Sequence, residues 1–177
     1  MEYMTDIKVI DNVLDEEYFF QIQSHILSNN WPWYYMDNIS NVEDNNNYGF
    51  FNILVNENGV NNIGPLNELI QETAQRVGSD KLIRCRMDMT VNRGDSIKLE
   101  PHVDLTIPHT TAIFYVNDVD GNTIIYDQMY GDDSKLTIKQ EIQPKANRLI
   151  VFDGLHLHTG HTPTTCNQRV LINSNWA

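Results

Sequence analysis

The sequence predicts an α+β chain built on a jelly-roll (double-stranded β-helix) core, with N-terminal helices packed on its outside. Three observations point there. Helical spacing of apolar residues is confined to the stretch before Gly78, short β-like segments dominate after it, and Gly, Asp and Asn turn residues separate those segments. Helices first and strands afterwards is α+β order, and the β part is large enough for two facing sheets. Periodicity alone does not separate a jelly roll from another β-sandwich.

The elements follow in chain order. Asp15 is placed to cap a helix running to about Ser28, in which Phe19, Ile22 and Ile26 recur at helical spacing. Asn38 to Asn47, with five Asn, two acidic residues and a Ser, read as an exposed loop near a site entrance. A second helix opens at Gly64-Pro65, where Pro suits the first turn; it carries Leu66, Leu69, Ile70 and Val77 and stops at Gly78. Strands are expected over 83–91, 99–107, 111–116, 123–126, 149–152 and 170–173, with turns at Asp118–Asn122 and Asp153-Gly154. With no internal repeat or long linker, residues 1–177 read as a single domain.

Composition narrows the function classes. The 177 residues are 41% hydrophobic and 20% charged, ordinary globular usage. No apolar run is long enough to span a bilayer, and Met1-Glu-Tyr-Met-Thr-Asp6 is no signal-peptide start, so neither membrane nor secretion is expected. Cys85 and Cys166 lie outside any CxxC pattern, which gives no zinc site and suits a reducing, cytoplasmic setting. The net charge of −12 repels phosphate, and the densest basic segment is only Arg84-Cys-Arg86, on one strand face by alternation, so nucleic acid is a disfavoured partner.

Chemistry concentrates late in the chain. His102 and Asp104 lie two apart on a predicted strand, where alternate residues share a face, so imidazole and carboxylate can meet one metal. His156, His158 and His161 offer a third ligand from one later cluster. Two His and one carboxylate with open positions is the arrangement used by non-haem iron(II) oxygenases. A lone His-x-Asp is weak, and a strand His bonded to a surface Asp is its bland alternative. The downstream segment adds weight: an apolar strand from Arg148 turns at Asp153-Gly154, presents the histidines, and leads to Arg169 at the head of another apolar strand. An Arg among apolar residues is costly unless an anion meets it, and a dicarboxylate gripped bidentately is one such partner.

These residues together resemble the prolyl-4-hydroxylase-like branch of the iron(II)/2-oxoglutarate oxygenases. The match runs through His102-x-Asp104, His158 and, ten residues further, Arg169, and through Thr111 to Thr123 after the HxD triplet; it touches Val9–Leu14 and Trp31-Pro-Trp33. The resemblance selects His158 among three candidates, because the family's ligand follows an FDGxxxH turn and precedes HxGxxP, here His158, Gly160 and Pro163. His156 and His161 then become supporting or surface residues, His109 a rim residue and His25 structural.

The resemblance implies Fe(II) held by His102, Asp104 and His158, with 2-oxoglutarate as co-substrate, O2, and ascorbate as a further candidate. Arg169 would anchor the far carboxylate of 2-oxoglutarate. Tyr115 would touch the same carboxylate, or else be a core Tyr with a satisfied hydroxyl. The family's Tyr upstream of HxD is missing; Arg86, Thr90 and Asn92 are the nearby alternatives, with no role assigned. Trp31 and Trp176 read as core or rim aromatics, and Asp118, Asp120 and Asp132-Asp133 as solvated turn residues.

The implied reaction is hydroxylation of a C–H bond, first of a prolyl or other peptidyl residue, with succinate and CO2 as co-products. The expected partner is thus a peptide or a small-molecule substrate. Alternatives are the same chemistry on a small molecule or nucleobase, a cupin-like metal-binding barrel, and a degenerate oxygenase fold kept for protein binding. Cupin sites use His-x-His followed by Glu, a pattern this chain lacks.

Overall fold

The computed structural model describes residues 6–39, 48–56, 59–60 and 63–177. Most of the Asn-rich loop (40–47) and the first five residues lie outside the described residues. The first strand, β1 (Lys8–Asp11), leads into α1 (Glu16–Ile26), whose start is fixed by Asp15: its carboxylate accepts from the amides of Glu17 and Tyr18. After β2 (Tyr34–Met36), β3 (Gly49–Asn56) and β4 (Gly59–Val60), a 3-10 turn over Gly64–Leu66 carries Pro65 and runs into α2 (Asn67–Val77). Gly78 ends α2 in a left-handed conformation at φ +83°, which a side chain would strain. No helix among the described residues is long and apolar enough to cross a membrane.

The rest is β: β5 (Leu82–Val91), β6 (Thr110–Tyr115), β7 (Thr123–Met129), β8 (Ile138–Ile142), β9 (Arg148–Asp153), β10 (His156–Gly160) and β11 (Gln168–Trp176). They form two antiparallel sheets. The large one runs β1-β9-β6-β11-β5-β3-β2, with β4 beside β3, and the small one runs β10-β7-β8. The turn at Asp118–Asn122 carries the chain from β6 in the large sheet to β7 in the small one, and Asp153-Gly154 carries it from β9 to β10. The architecture is thus mostly β, two-sheeted and jelly-roll-like.

Strand parity divides the core. One face of the large sheet presents Cys85 and Met87 from β5, Ala112 and Phe114 from β6, Leu149 and Val151 from β9, and Val170, Ile172 and Trp176 from β11. Ile22, Ile26, Leu66 and Leu69 of the helical segments join that cluster. The opposite face, turned to the small sheet, carries Ile113, Tyr115, Ile150, Phe152 and Leu171, which pack with Ile125 and Ile142. The same face of β5 and β11 is largely polar along the pairing, with Arg86, Asp88, Thr90, Arg169, Asn173 and Asn175 all buried. That polar face holds the site.

Three expectations need correction. The strand over 99–107 does not form: Lys98 and His102 make only isolated bridges, to His161 and His158. Pro101 has no N–H to give and the chain bends from Asp104 onward, so this segment runs beside β10 without a regular ladder. His109 is no rim residue; it is 7% exposed, and a Cβ on Gly154 would fall 2.1 Å from its ring. Asp118 and Asp120 are more than solvated, since Asp118 accepts from the amide of Ala146 and Asp120 from the amides and hydroxyls of Thr164 and Thr165.

Candidate metal centre and anion pocket

His102, Asp104 and His158 converge from different parts of the chain, with their ligand atoms within 4.8 Å of one another. The amide of His102 donates to the carbonyl of His158 over 3.0 Å and the reverse bond measures 2.9 Å. This reciprocal bridge, rather than a regular strand, sets the imidazoles side by side with ring centres 4.8 Å apart. His158 Nε2 lies 3.7 Å from Asp104 Oδ2.

Each ring has one nitrogen occupied. His102 Nδ1 meets the carbonyl of Glu100 at 2.9 Å and His158 Nδ1 that of His156 at 3.1 Å. A carbonyl only accepts, so both Nδ1 atoms carry a proton and Nε2 is the nitrogen left to face a ligand. Burial pushes His158 down to about 4, with the Asp104 charge pulling the other way, so the ring is neutral at pH 7. Two Nε2 atoms beside a carboxylate fit a divalent metal.

Asp104 is held from several sides. Asn173 donates to Oδ1 over 2.9 Å and Asn175 to Oδ2 over 3.1 Å, while the Arg84 guanidinium stands 3.7 Å from Oδ1. Burial opposes its ionisation most strongly, yet His158, His102, Arg84 and the Asn173 amide outweigh that and hold the carboxyl below its usual range. Asn173 and Asn175 were missed in the sequence. Both share strand parity with Arg169, and that parity was the signal for them.

His156 stands outside this cluster although it too lies two residues from His158. A register shift between His156 and His158 in the β10–β7 pairing breaks their equivalence, and the Nδ1 of His156 is buried without a partner among the described residues. His161 bridges to Lys98 further along the same edge. His25 stacks edge-on against Trp31, with ring centres 5.1 Å apart. Trp31 and Trp176 are both core residues.

Arg169 lines the same cavity as His102 and His158. Its Nε donates to the carbonyl of Gly121 over 2.6 Å and its Nη2 to Thr123 Oγ1 over 2.7 Å, which leaves Nη1 without an acceptor among the described residues. Burial pushes its pKa down, with Tyr115 and Asp88 opposing, but a guanidinium stays charged at pH 7. The Tyr115 hydroxyl donates to the same Thr123 oxygen over 2.7 Å. With two donors on that oxygen, the Thr123 proton is free to point into the cavity. Thr123 was not anticipated from the sequence.

Arg86, Asp88 and Thr90 also line the cavity, whereas Asn92 turns away to the carbonyls of Thr164 and Cys166. Arg86 Nε lies 2.7 Å from Asp88 Oδ1 in an alignment too poor for a directed hydrogen bond, so the contact is an ion pair. Burial pushes the Asp88 carboxyl up, against the pull of Arg86.

No protein-family model and no curated protein matches the chain. Solved structures do match its fold. An oxidoreductase of the 2OG-Fe(II) oxygenase family from Burkholderia pseudomallei aligns with TM-score 0.70 at 12% identity, covering 97% of this chain and 84% of that one. The epimerase SnoN from nogalamycin biosynthesis, in complex with Fe3+, alpha ketoglutarate and nogalamycin RO, aligns at 0.63 and 11%, covering 96% and 78%. A prolyl hydroxylase from Trichoplax adhaerens, in complex with a hypoxia inducible factor peptide fragment, aligns at 0.58 and 18%, covering 96% and 82%. At these identities the likeness is one of fold.

Proposed function

We propose that this chain, as one domain with helices packed on a double-stranded β-helix, is an Fe(II)- and 2-oxoglutarate-dependent dioxygenase that hydroxylates a C–H bond. The observation that carries the reading is one cavity lined both by His102 and His158, whose donors meet Asp104, and by the fixed, partly unpartnered guanidinium of Arg169. A generic metal barrel needs the first but has no use for the second. One neighbour of the same fold, the epimerase SnoN, is in complex with Fe3+ and alpha ketoglutarate, which supports the choice of ligands.

In this reading His102 and His158 present Nε2, and Asp104 one carboxylate oxygen, to the metal. Arg169 takes the far carboxylate of 2-oxoglutarate through Nη1, and Thr123 donates to the same group. Tyr115 orders Thr123 and through it the Arg169 fork. Leu99, Ile113 and Leu171 line the cavity and keep water from the reacting carbon. Iron with 2-oxoglutarate and O2 supplies the oxidation, giving succinate and CO2 as one oxygen atom enters the substrate. The free thiols of Cys85 and Cys166 suit a reducing compartment.

Two substrate classes stand open: a prolyl or other peptidyl residue, by analogy with the peptide-bound neighbour, and a small molecule, by analogy with the epimerase. The test is to incubate the protein with Fe(II), 2-oxoglutarate, O2 and members of both classes. Succinate release together with a mass gain of one oxygen on a substrate supports the reading. No succinate under any condition contradicts it.

A further inference from the structure

Strand β5 turns three buried polar side chains toward the cavity: Arg86, Asp88 and Thr90. The first two face each other, with Arg86 Nε 2.7 Å from Asp88 Oδ1. Thr90 is left over. The residue is 3% exposed, and its Oγ1 has no hydrogen-bond partner among the described residues. Thr159, another threonine lining the cavity, donates its hydroxyl to the carbonyl of Leu99 over 2.6 Å. Buried hydroxyls normally find partners, and one that lacks a partner costs free energy until a ligand supplies an acceptor.

The β5–β11 register says which end of the cavity this hydroxyl serves. Thr90 is paired directly with Arg169, whereas Arg86 is paired with Asn173, the residue that donates to Asp104. Directly opposed residues on antiparallel strands share a face, with Cβ atoms roughly 4.5–5.5 Å apart. At roughly 3.3 Å per residue, the Thr90 and Arg86 levels are about 13 Å apart along the strand. Thr90 therefore stands beside the guanidinium of the anion pocket and away from the support of the metal ligands.

We infer that the Thr90 hydroxyl is a further donor to the far carboxylate of 2-oxoglutarate, beside Arg169 Nη1 and Thr123 Oγ1. A carboxylate has about four acceptor sites, so three donors can converge on it without competing. The guanidinium is fixed in place by Gly121 and Thr123. The Thr90 hydroxyl, in contrast, is aimed by rotation about a single side-chain bond. It has nothing to hold in the protein itself, so it stabilises only the loaded form.

This inference rests on the dioxygenase reading above, and one anaerobic titration separates the two. Wild-type protein holding Fe(II) is titrated with 2-oxoglutarate, and the weak visible charge-transfer band is recorded. No band at any concentration overturns the dioxygenase reading itself. Where the band forms, Thr90→Val should weaken 2-oxoglutarate about tenfold, the scale of one hydrogen bond to a charged group. Thr90→Ser, which keeps the hydroxyl, should recover most of that loss. 2-Oxopentanoate, with a methyl in place of the far carboxylate, should bind wild type and Thr90→Val alike. Should it bind neither, affinity rests on the far carboxylate and the 2-oxoglutarate loss alone decides. The urea midpoint of ligand-free Thr90→Val should stay level or rise, because an unpartnered buried hydroxyl has been removed. Unchanged 2-oxoglutarate affinity in Thr90→Val overturns the inference, and so does an equal loss for both acids. A lowered urea midpoint overturns it too, because the hydroxyl would then support the fold.

Discussion

Asn173 donates through Nδ2 to Asp104 Oδ1 over 2.9 Å, which locks the carboxylate of the HxD triplet to a strand remote from it in sequence. Asn175 does the same for Oδ2, over 3.1 Å. Asp104 sits in a bend and not in a ladder, so its orientation depends on these amides. Asn173→Ala and Asn175→Ala are each expected to weaken metal binding by about 10- to 100-fold while the fold persists. Equilibrium dialysis against Co(II), with circular dichroism as the folding control, checks this.

His102→Ala and Asp104→Ala are expected to abolish 2-oxoglutarate turnover and to remove tight divalent-metal binding. Succinate release measured by chromatography gives the first readout. Full turnover in Asp104→Ala would sink the metal assignment.

Arg169→Ala should weaken 2-oxoglutarate binding by roughly 10- to 100-fold, the scale of losing a charge-assisted bond pair, and leave metal binding in place. Arg169→Lys should recover only part, because a lysine cannot keep the Gly121 and Thr123 bonds and also grip the carboxylate. Titration of the charge-transfer band separates the two variants.

Gly154 is expected to tolerate no side chain. A Cβ there would lie 2.1 Å from His109 Nε2 and 2.3 Å from its Cδ2, so the ring must move out of a buried position. Gly154→Ala should cost about 1–3 kcal/mol, read as a fall in the urea midpoint. This explains the glycine of the FDG turn through packing against His109.

Asp120 gives a pH prediction. The Thr164 hydroxyl, chiefly, and the amides of Thr164 and Thr165 hold its carboxyl below the usual range, with burial opposing. A depressed folded value stabilises above the unfolded value near pH 4 and is lost as pH falls through the folded one. The stability advantage of wild type over Asp120→Asn should therefore be full at about pH 7 and shrink from about pH 4 toward pH 2. Urea midpoints of the two proteins across that range test it.

Much of the site was legible in the sequence because chemistry and spacing constrain it. His102 and Asp104 were joined through strand parity, and His158 through resemblance to a turn motif. The structure brings the three together by a different local route, a two-bond bridge between His102 and His158. The helices were legible from an N-cap at Asp15 and a C′ glycine at Gly78. The strand Ile138–Ile142 was not, because it is an edge strand with most residues exposed and no apolar alternation. Gly49–Asn56 was hidden by Asn52 interrupting its apolar run, and His156–Gly160 by the register shift within a histidine cluster. The supporting amides were missed because Asn on a strand carries no motif; only its parity with Arg169 reveals it.

The most direct test of the central claim is an anaerobic titration of Fe(II) into the wild-type protein with and without 2-oxoglutarate. The expected result is a weak visible charge-transfer band that requires both, with one metal per chain, and that fades in Arg169→Ala at the same 2-oxoglutarate concentration. Tight metal binding with no band at any 2-oxoglutarate concentration would contradict it.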